Sequence, residues 1–261
     1  LRGNYNYNHN EVKFLDESIR DNTYAYRYRS TGFSLGQAWG YKVDYSNGNG
    51  FFNSQQELDE FLATKRYSFG DPRVGDLKYQ DVNGDNVIDD KDQSPIGFTS
   101  IPGVTYGFNI GFTFKNFDFM TFFQGVGKYS TNYSEQGVYE KIASTGTFFK
   151  YHRTAWTAER YAAGDEITYP ALSTRTTTNH NANEFFIMDR SFIRLKNIEL
   201  AYTLPANLLK SIGVSRLRVY ASAQNLFTWD KLRMGHLDPE NNDALGYPVT
   251  KMSNFGLDLT F

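Results

Sequence analysis

The sequence contains no cysteine, has only 7 prolines, and carries no large excess of either charge. The absence of cysteine excludes a disulfide framework, a thiolate zinc site and a cysteine nucleophile. Lys and Arg together number 27 against 29 Asp and Glu, and no segment concentrates basic residues, so no nucleic-acid partner is expected. No run approaches the roughly 18 apolar residues of a membrane helix. A membrane β-barrel is not excluded, because its strands are apolar only at alternate residues.

Aromatic residues are abundant, with 22 Phe and 19 Tyr, and they follow a period of two. Between Val104 and Phe114, Val, Tyr, Phe and Ile alternate with Thr, Gly and Asn. This alternation predicts a strand with one apolar and one small polar face. The dipeptide Lys115-Asn116 then leads into a second alternating segment, Phe117 to Gly125, which predicts a hairpin with a short turn.

Five further segments complete about seven predicted strands. They are Leu1 to Phe14, Phe33 to Tyr45, Phe192 to Tyr202, Arg216 to Gln224 and Asn254 to Phe261. Within Phe192 to Tyr202 the alternation slips by one residue near Lys196-Asn197. A β-bulge at that point would restore a common apolar face.

The connections between these strands have very uneven lengths. Residues 46–103, 129–184 and 228–249 form long tracts, whereas 115–116 and 203–215 are short and the latter contains a predicted helical turn from Ala206 to Ile212. Compact domains rarely contain structureless connections beyond about 12–15 residues, while outer-membrane barrels have long loops on one rim and short turns on the other. The tract 15–35 does not fit this scheme, since it should be short.

Two architectures are compatible with alternation. In a soluble sandwich the apolar face packs inward; in a membrane barrel it contacts lipid. The Phe-rich apolar faces, the Gly, Asn, Ser and Thr on the opposite faces, and the aromatic residue at the end of the last strand favour the barrel. Seven strands would not close a barrel with a wet interior. We therefore predict an all-β fold in which residues 1–261 form an antiparallel transmembrane β-barrel segment of a longer polypeptide, with long extracellular loops that include 76–97 and 129–184.

The loop between 76 and 97 carries the spacing of a calcium-binding loop. With Asp81 as position 1, oxygen ligands would come from the side chains of Asp81, Asn83, Asp85, Asp89 and Asp92 and from the carbonyl of Val87. Asn86 replaces the usual glycine at position 6, Asp92 replaces the usual glutamate, and Pro95 precludes an exiting helix. The prediction is a structural Ca²⁺ without an EF-hand. An ion-free acidic turn is the alternative.

Catalytic patterns are weak. The four histidines, His9, His152, His180 and His236, are scattered, and no serine lies in a G-x-S-x-G motif, so an enzyme is not expected. The long tract after residue 128 is rich in aromatic residues, namely Tyr129, Tyr133, Tyr139, Phe148, Phe149, Tyr151, Trp156, Tyr161 and Tyr169. These residues predict a small core, a partner contact or, less favoured, a ligand-stacking surface.

Five separate motifs resemble the C-terminal region of the SusC/RagA class of TonB-dependent outer-membrane transporters of Bacteroidetes. They are Gly36 to Lys42, Gly75 to Asp85, Phe117 to Gly125, Ser191 to Ile198 and Arg218 to Phe227, and they occur in the same order over roughly residues 33–261. The terminal segment Asn254 to Phe261 also resembles the signal that is read by the barrel assembly machinery.

This resemblance implies a 22-stranded barrel with an N-terminal plug, located in the outer membrane of a Gram-negative bacterium. It implies import of glycans or peptides with energy from the TonB complex, which acts through the missing N-terminal part, and a SusD-like surface lipoprotein as a lid. Asn109, Arg194, Lys196, Arg218 and Gln224 are then expected to face the lumen, and Phe108, Ile110, Leu217 and Leu257 to face lipid. A soluble secreted carbohydrate-binding or adhesive β domain with a calcium loop is the alternative, and an iron-chelate transporter is a third candidate.

Overall fold

The computed structural model describes residues 1–18, 29–134, 137–140, 147–210, 213–241 and 243–261. Its strands are β1 (Arg2–Tyr7), β2 (Trp39–Tyr41), β3 (Arg66–Tyr67), β4 (Val87–Ile88), β5 (Gln93–Pro95), β6 (Val104–Phe114), β7 (Phe117–Gly127), β8 (Ser130–Asn132), β9 (Ile187–Asp189), β10 (Phe192–Thr203), β11 (Arg216–Asp230) and β12 (Met252–Thr260). Its α-helices are α1 (Gln55–Leu62), α2 (Ala158–Ala163) and α3 (Ala206–Leu209). None of the helices in these ranges is long and apolar enough to cross a membrane.

Six of the strands form one open antiparallel sheet in the order β1-β6-β7-β10-β11-β12. The predicted hairpin is present, with Phe114 opposite Phe117 and Val104 opposite Gly127. The predicted strands over 104–114, 117–125, 192–202 and 254–261 all lie in this sheet, and β11 extends beyond its predicted end to Asp230. The all-β prediction is therefore confirmed. Residues 211–212 of the predicted helical turn lie outside the described residues.

The predicted β-bulge is confirmed at Lys196. The register of β10 shifts between Leu195 and Asn197 against both of its neighbours. Leu195 lies opposite Phe123, and Ile198 lies opposite Thr121, so residues before and after the shift share one face of the sheet. The extra residue thus keeps the apolar side chains of β10 on a single side.

The predicted strand Phe33 to Tyr45 is wrong as a member of the sheet. Only Trp39–Tyr41 is extended, and it pairs with Gln93–Pro95 in a separate two-stranded ribbon. Tyr41 and Val43 alternate because both are buried in a cluster formed by the loops, with exposures of 2% and 1%.

The first strand is also shorter than predicted and ends at Tyr7. Residues 8–103 are therefore one connection, which removes the misfit of tract 15–35; residues 19–28 lie outside the described part.

All of the long connections leave the sheet at the same end. Strands β1 and β6, β7 and β10, and β11 and β12 are joined by residues 8–103, 128–191 and 231–251. The connections 115–116 and 204–215 lie at the opposite end because neighbouring strands are antiparallel. We call these the long-loop end and the short-turn end. The predicted asymmetry between the two rims is confirmed.

The three long connections share a hydrophobic core of their own, which we call the loop core. Its buried residues are Tyr41, Val43, Phe51, Phe52, Leu58, Tyr67, Leu77, Tyr79, Ile88, Tyr133, Val138, Tyr139, Ala155, Trp156, Tyr169, Phe185, Phe186, Met188, Met234, Leu237 and Ala244. Among the aromatic residues noted in the sequence, Tyr133, Tyr139, Trp156 and Tyr169 are buried here. Phe148 and Tyr161 are exposed. The small-core interpretation holds for the four buried rings.

Buried polar side chains join the loops across long sequence separations. The Asp76 carboxylate accepts hydrogen bonds from Arg73 Nη2 at 3.0 Å and Asn179 Nδ2 at 2.9 Å. Asn179 Oδ1 in turn accepts the backbone N–H of Leu77 at 2.8 Å. Asn183 donates to Tyr79 Oη at 2.9 Å and accepts the backbone N–H of Phe185. These bonds satisfy backbone groups that have no sheet partner, which is a requirement for burying a loop.

Gly75 is held where a side chain cannot fit. Its φ is +88°, and a Cβ there would lie 2.4 Å from Trp156 Cε3 and 2.5 Å from the Ala171 Cβ. We expect Gly75→Ala to lower the free energy of unfolding by about 1–3 kcal/mol more than Gly164→Ala, because it adds overpacking to the strain of a left-handed backbone. Gly164 has a φ of +71° and open space around it. Thermal unfolding of the purified variants measures the difference. Equal losses would show that Trp156 and Ala171 accommodate the added methyl group.

Candidate functional site

One face of the six-stranded sheet is apolar and exposed. Residues that lie opposite each other in the register share a face, and this face carries no charged residue among the paired positions. We call it the apolar face; its exposed side chains are Tyr5, Tyr7, Ile110, Phe112, Phe114, Phe117, Leu200, Val219, Phe227, Trp229, Phe255, Leu257 and Leu259. In a soluble sandwich these side chains would be covered by a second sheet. In the described part of the chain nothing covers them.

Aromatic side chains lie toward both ends of the apolar face. Phe114, Phe117 and Tyr202 lie at the short-turn end, where the Phe117 and Tyr202 ring centroids are 4.6 Å apart. Tyr7 and Trp229 lie at the long-loop end. Two such belts flanking an apolar band are typical of the outside of membrane barrels. The length of β6, 11 residues, matches the roughly 9–11 residues of a tilted membrane strand.

The opposite face carries the polar and charged residues of the sheet, together with Met120 and Phe122, and it includes four of the five residues predicted to face a lumen, Asn109, Arg194, Arg218 and Gln224. The fifth, Lys196, lies at the bulge and has no partner in the register. Asn109 pairs with Phe122, Gln224 with Asn197, and Arg194 with Thr228. We call this side the polar face; its other members include Asn4, Gln124, Glu199, Ser222 and Asp258. Asn109 and Gln224 line one shallow depression together with Asn197 and Ser222.

Three basic residues of the polar side, Arg194, Lys196 and Arg218, form ion pairs. Arg218 forms ion pairs with Glu199 and with Asp258, the latter at 3.3 Å. Arg194 is only 2% exposed; its Nη2 donates to Asp238 Oδ1 at 2.8 Å, and its Nη1 contacts Glu240. Lys196 Nζ, on the bulge, lies 2.8 Å from the same Glu240 carboxylate. Partners of opposite charge reduce the free-energy cost of burying these charged groups in the sheet.

A second buried arginine, Arg190, was not singled out from the sequence. Its guanidinium donates to the carbonyls of Pro239 at 2.8 Å and Asn241 at 2.7 Å and to Thr131 Oγ1 at 2.9 Å. The Arg190 guanidinium also lies 4.4 Å from the Tyr129 ring centroid. Its partners are separated from it by about fifty residues, so no local pattern could have revealed them.

The electrostatics around Asp238 favour its charged form. Burial would raise the pKa of Asp238, but hydrogen bonds from the Glu240 backbone N–H and from Arg194 hold that pKa below its ordinary value. The carboxylate is therefore charged at neutral pH. Asp238 Oδ2 also accepts the backbone N–H of Val249 at 3.1 Å, which fixes the far side of the same loop.

The acidic loop curls as its spacing predicts, but its oxygens bind backbone N–H groups. Asp81 accepts from Gly84 N at 2.7 Å and Asn86 N at 3.0 Å. Asp92, at the twelfth position, accepts from Val82 N at 2.7 Å. Asn86 adopts a φ of 64°, the left-handed conformation expected at position 6. Ile88, at position 8, is fully buried.

The remaining predicted ligands are engaged in the same way. Asn83 Oδ1 accepts Asp85 N at 2.9 Å, Asp85 Oδ1 accepts Val87 N at 2.8 Å, and Asp89 Oδ1 accepts Lys91 N at 2.8 Å. In the described residues no group of three or more His, Asp or Glu side chains is arranged to hold a metal ion. The donor chemistry suits a hard cation. Calcium binding therefore stays a prediction.

Comparison with known proteins identifies relatives along most of the chain. No protein-family model matches. TonB-dependent receptor P26 of Formosa agariphila is 31% identical over 230 residues, which cover 81% of this chain and 22% of the receptor. TonB-dependent receptor SusC of Bacteroides thetaiotaomicron is 28% identical over 273 residues, which cover 100% of this chain and 24% of SusC. The chain thus spans about a quarter of the length of these relatives.

Solved structures show the same fold. A structure of the RagAB peptide transporter matches 99% of this chain and 27% of the other chain, with a TM-score of 0.63 and 21% identity. The "closed-closed" state of the RagAB peptide importer matches with a TM-score of 0.61 and the same identity. The resemblance that the five sequence motifs predicted is confirmed.

If the acidic loop binds Ca²⁺, the ion should stabilise the loops. We expect Ca²⁺ at about one hundred times its dissociation constant to add about 2.7 kcal/mol to the free energy of unfolding. The measurement is the resistance of residues 81–92 to limited proteolysis with Ca²⁺ and with a chelator.

Asp81→Asn should abolish the Ca²⁺-dependent protection, because it removes the charge at the first ligand position. Asp90→Asn is the control, since Asp90 is an exposed carboxylate of the same loop that is not among the predicted ligands. Identical proteolysis with Ca²⁺ and chelator in the unmodified protein would contradict the prediction.

Proposed function

The chain is homologous to TonB-dependent receptors of the SusC/RagA class, and we propose that it forms part of the barrel wall of an outer-membrane transporter that imports nutrients. In this proposal the apolar face contacts lipid and the polar face borders the import path. The long-loop end is extracellular, as in outer-membrane barrels, whose longer loops lie outside and whose short turns are periplasmic. The host would be a Gram-negative bacterium of the Bacteroidetes type.

The observation that carries the proposal is the contrast between the two faces of one sheet. The apolar face combines exposed Phe, Leu and Ile side chains with the absence of charge at its paired positions. Water does not favour so large an exposed apolar surface on a soluble protein. The polar face carries Arg, Lys, Asp and Glu within the same strands. Contact of the apolar face with lipid and of the polar face with water accounts for both observations.

The solute and the partners are inferred by similarity. We propose that the solute is a glycan or oligosaccharide, or a peptide, and that a SusD-like surface lipoprotein docks on the loops at the long-loop end. Energy would come from the TonB complex through a part of the protein outside this chain. The similarity to a structure described as a peptide transporter supports a peptide over an iron chelate.

Two other functions receive less support. A soluble carbohydrate-binding or adhesive domain would bury the Phe-rich face, yet Phe255 is 86% exposed and Leu257 is 60% exposed. For catalysis, the relatives are named as receptors and transporters rather than enzymes. We propose no catalytic role for the chain.

Adjacent residues of β6 provide a matched test of the membrane proposal. Ile110 lies on the apolar face near the middle of the strand, and Asn109 lies on the polar face. We expect Ile110→Arg to cost roughly 2–4 kcal/mol of stability in the membrane, because it places a charge in hydrocarbon near the midplane. Asn109→Arg should cost much less.

The measurement is made on the full-length protein. Outer-membrane abundance, heat-modifiable migration in gels and urea unfolding in lipid vesicles compare the two variants with the unmodified protein. If Ile110→Arg folds as stably as Asn109→Arg, lipid does not cover the apolar face and the proposal fails.

A further inference from the structure

The connection between β11 and β12 is far longer than its geometry requires. Adjacent antiparallel strands are usually joined by two to five residues, yet this connection runs from 231 to 251. Part of it lies against the polar side of β10 at the long-loop end. Its residues Asp238 and Glu240 contact Arg194, whose own position in the sheet is on the polar face opposite Thr228.

Two arginines four residues apart hold this connection, and we call them the arginine clamp. Arg190 donates to the backbone carbonyls of Pro239 and Asn241, and Arg194 donates to the carboxylates of Asp238 and Glu240. Both guanidinium side chains are almost completely buried, at 0% and 2% exposure. A guanidinium group presents its N–H donors in a fixed planar geometry. It therefore orders a segment whose carbonyl and carboxylate groups accept these hydrogen bonds.

The connection has further attachments on the side of the loop core. Met234, Leu237 and Ala244 are buried in the loop core. His236 Nε2 lies 2.8 Å from the carbonyl oxygen of Gly137. A segment anchored by buried ion pairs on one side and by apolar burial on the other opens only at a high free-energy cost. It is therefore a fixed element rather than a moving lid.

Resting on the proposed function, we propose that this clamped connection is a permanent constriction of the import path, which limits the size of the solute that reaches the polar face below it. Two apolar side chains of the connection are exposed and therefore available to contact a solute. Tyr247 is 84% exposed and Leu245 is 54% exposed. The depression lined by Asn109, Asn197 and Gln224 lies further along the polar face, toward the short-turn end.

The inference makes Arg190 and Arg194 positioning residues. They act on the solute through the loop, and their own side chains are inaccessible to it. Removing their loop partners, rather than the arginines, tests the constriction with less disturbance of the sheet. The double change Asp238→Asn with Glu240→Gln removes both carboxylates that Arg194 binds. Asp243→Asn is the matched control, because Asp243 lies on the same loop and its side chain accepts only the Leu245 N–H among the contacts described.

Cysteine labelling from outside the cell reports access past the loop. The chain has no native cysteine, so Gln224→Cys in the full-length transporter adds a thiol on the polar face, and the parent without it gives the background. A small maleimide should label this thiol with and without the loop changes. A polyethylene-glycol maleimide should label it slowly in the otherwise unmodified protein and about tenfold faster after the double change, a ratio equivalent to about 1.4 kcal/mol. Asp243→Asn should leave both rates unchanged.

The outcomes separate this inference from the proposed function. Labelling of Leu257→Cys on the apolar face by the small reagent in intact cells would contradict the membrane proposal itself. If the small reagent labels Gln224→Cys in every variant and the large reagent is not accelerated, the constriction is overturned while the barrel stands. Limited proteolysis between residues 238 and 250 shows whether the double change releases the loop. Unchanged cleavage would overturn the role given to Arg194, because its ion pairs with Asp238 and Glu240 would then not be needed to hold the loop.

Discussion

The structure depends on keeping each strand residue on the correct side of one sheet. Side chains alternate with a period of two, so a slip of one residue in any strand would exchange its apolar and polar sides. Six strands satisfy this requirement together. In β6 and β7, Phe108 lies opposite Phe123, while Asn109 lies opposite Phe122 on the other side. After a slip of register, charged side chains would face lipid and aromatic side chains would face water. Both changes are unfavourable, and together they oppose the slip.

The sequence predicted most of the sheet because this constraint is local. The hairpin, the bulge at Lys196 and the asymmetry of the two rims all follow from alternation and from the spacing of the strands. The false strand at Phe33 to Tyr45 has an understandable cause. Tyr41 and Val43 alternate because the loop core buries both, and a short buried ribbon has the same period as a membrane strand.

The arginine clamp shows what the sequence could not predict. Arg194 was expected to face the lumen because it lies on the polar side of an alternating strand. Its partners Asp238 and Glu240 are more than forty residues away, and pairing at that distance leaves no periodic signal. The same applies to Asp76 and Asn179, which meet from two different loops. Long-range polar contacts of this kind are specified by the fold, since the strands bring the ends of the loops together.

The bulge connects the register constraint to the clamp. If β10 continued through Lys196 as a regular strand without a bulge, either Leu195 or Ile198 would have to leave the apolar face, because they are an odd number of residues apart. With the extra residue, both remain on that face, and Lys196 occupies the unpaired position between them. Bulges commonly redirect a side chain, and here the Lys196 ammonium lies 2.8 Å from Glu240. The irregularity that keeps both apolar side chains on one face therefore also adds a second cation to Glu240 beside Arg194. The sheet and the connection between β11 and β12 are therefore coupled through the bulge. A change that removed the bulge from β10 would disturb both the attachment of this connection and the alternation of the strand.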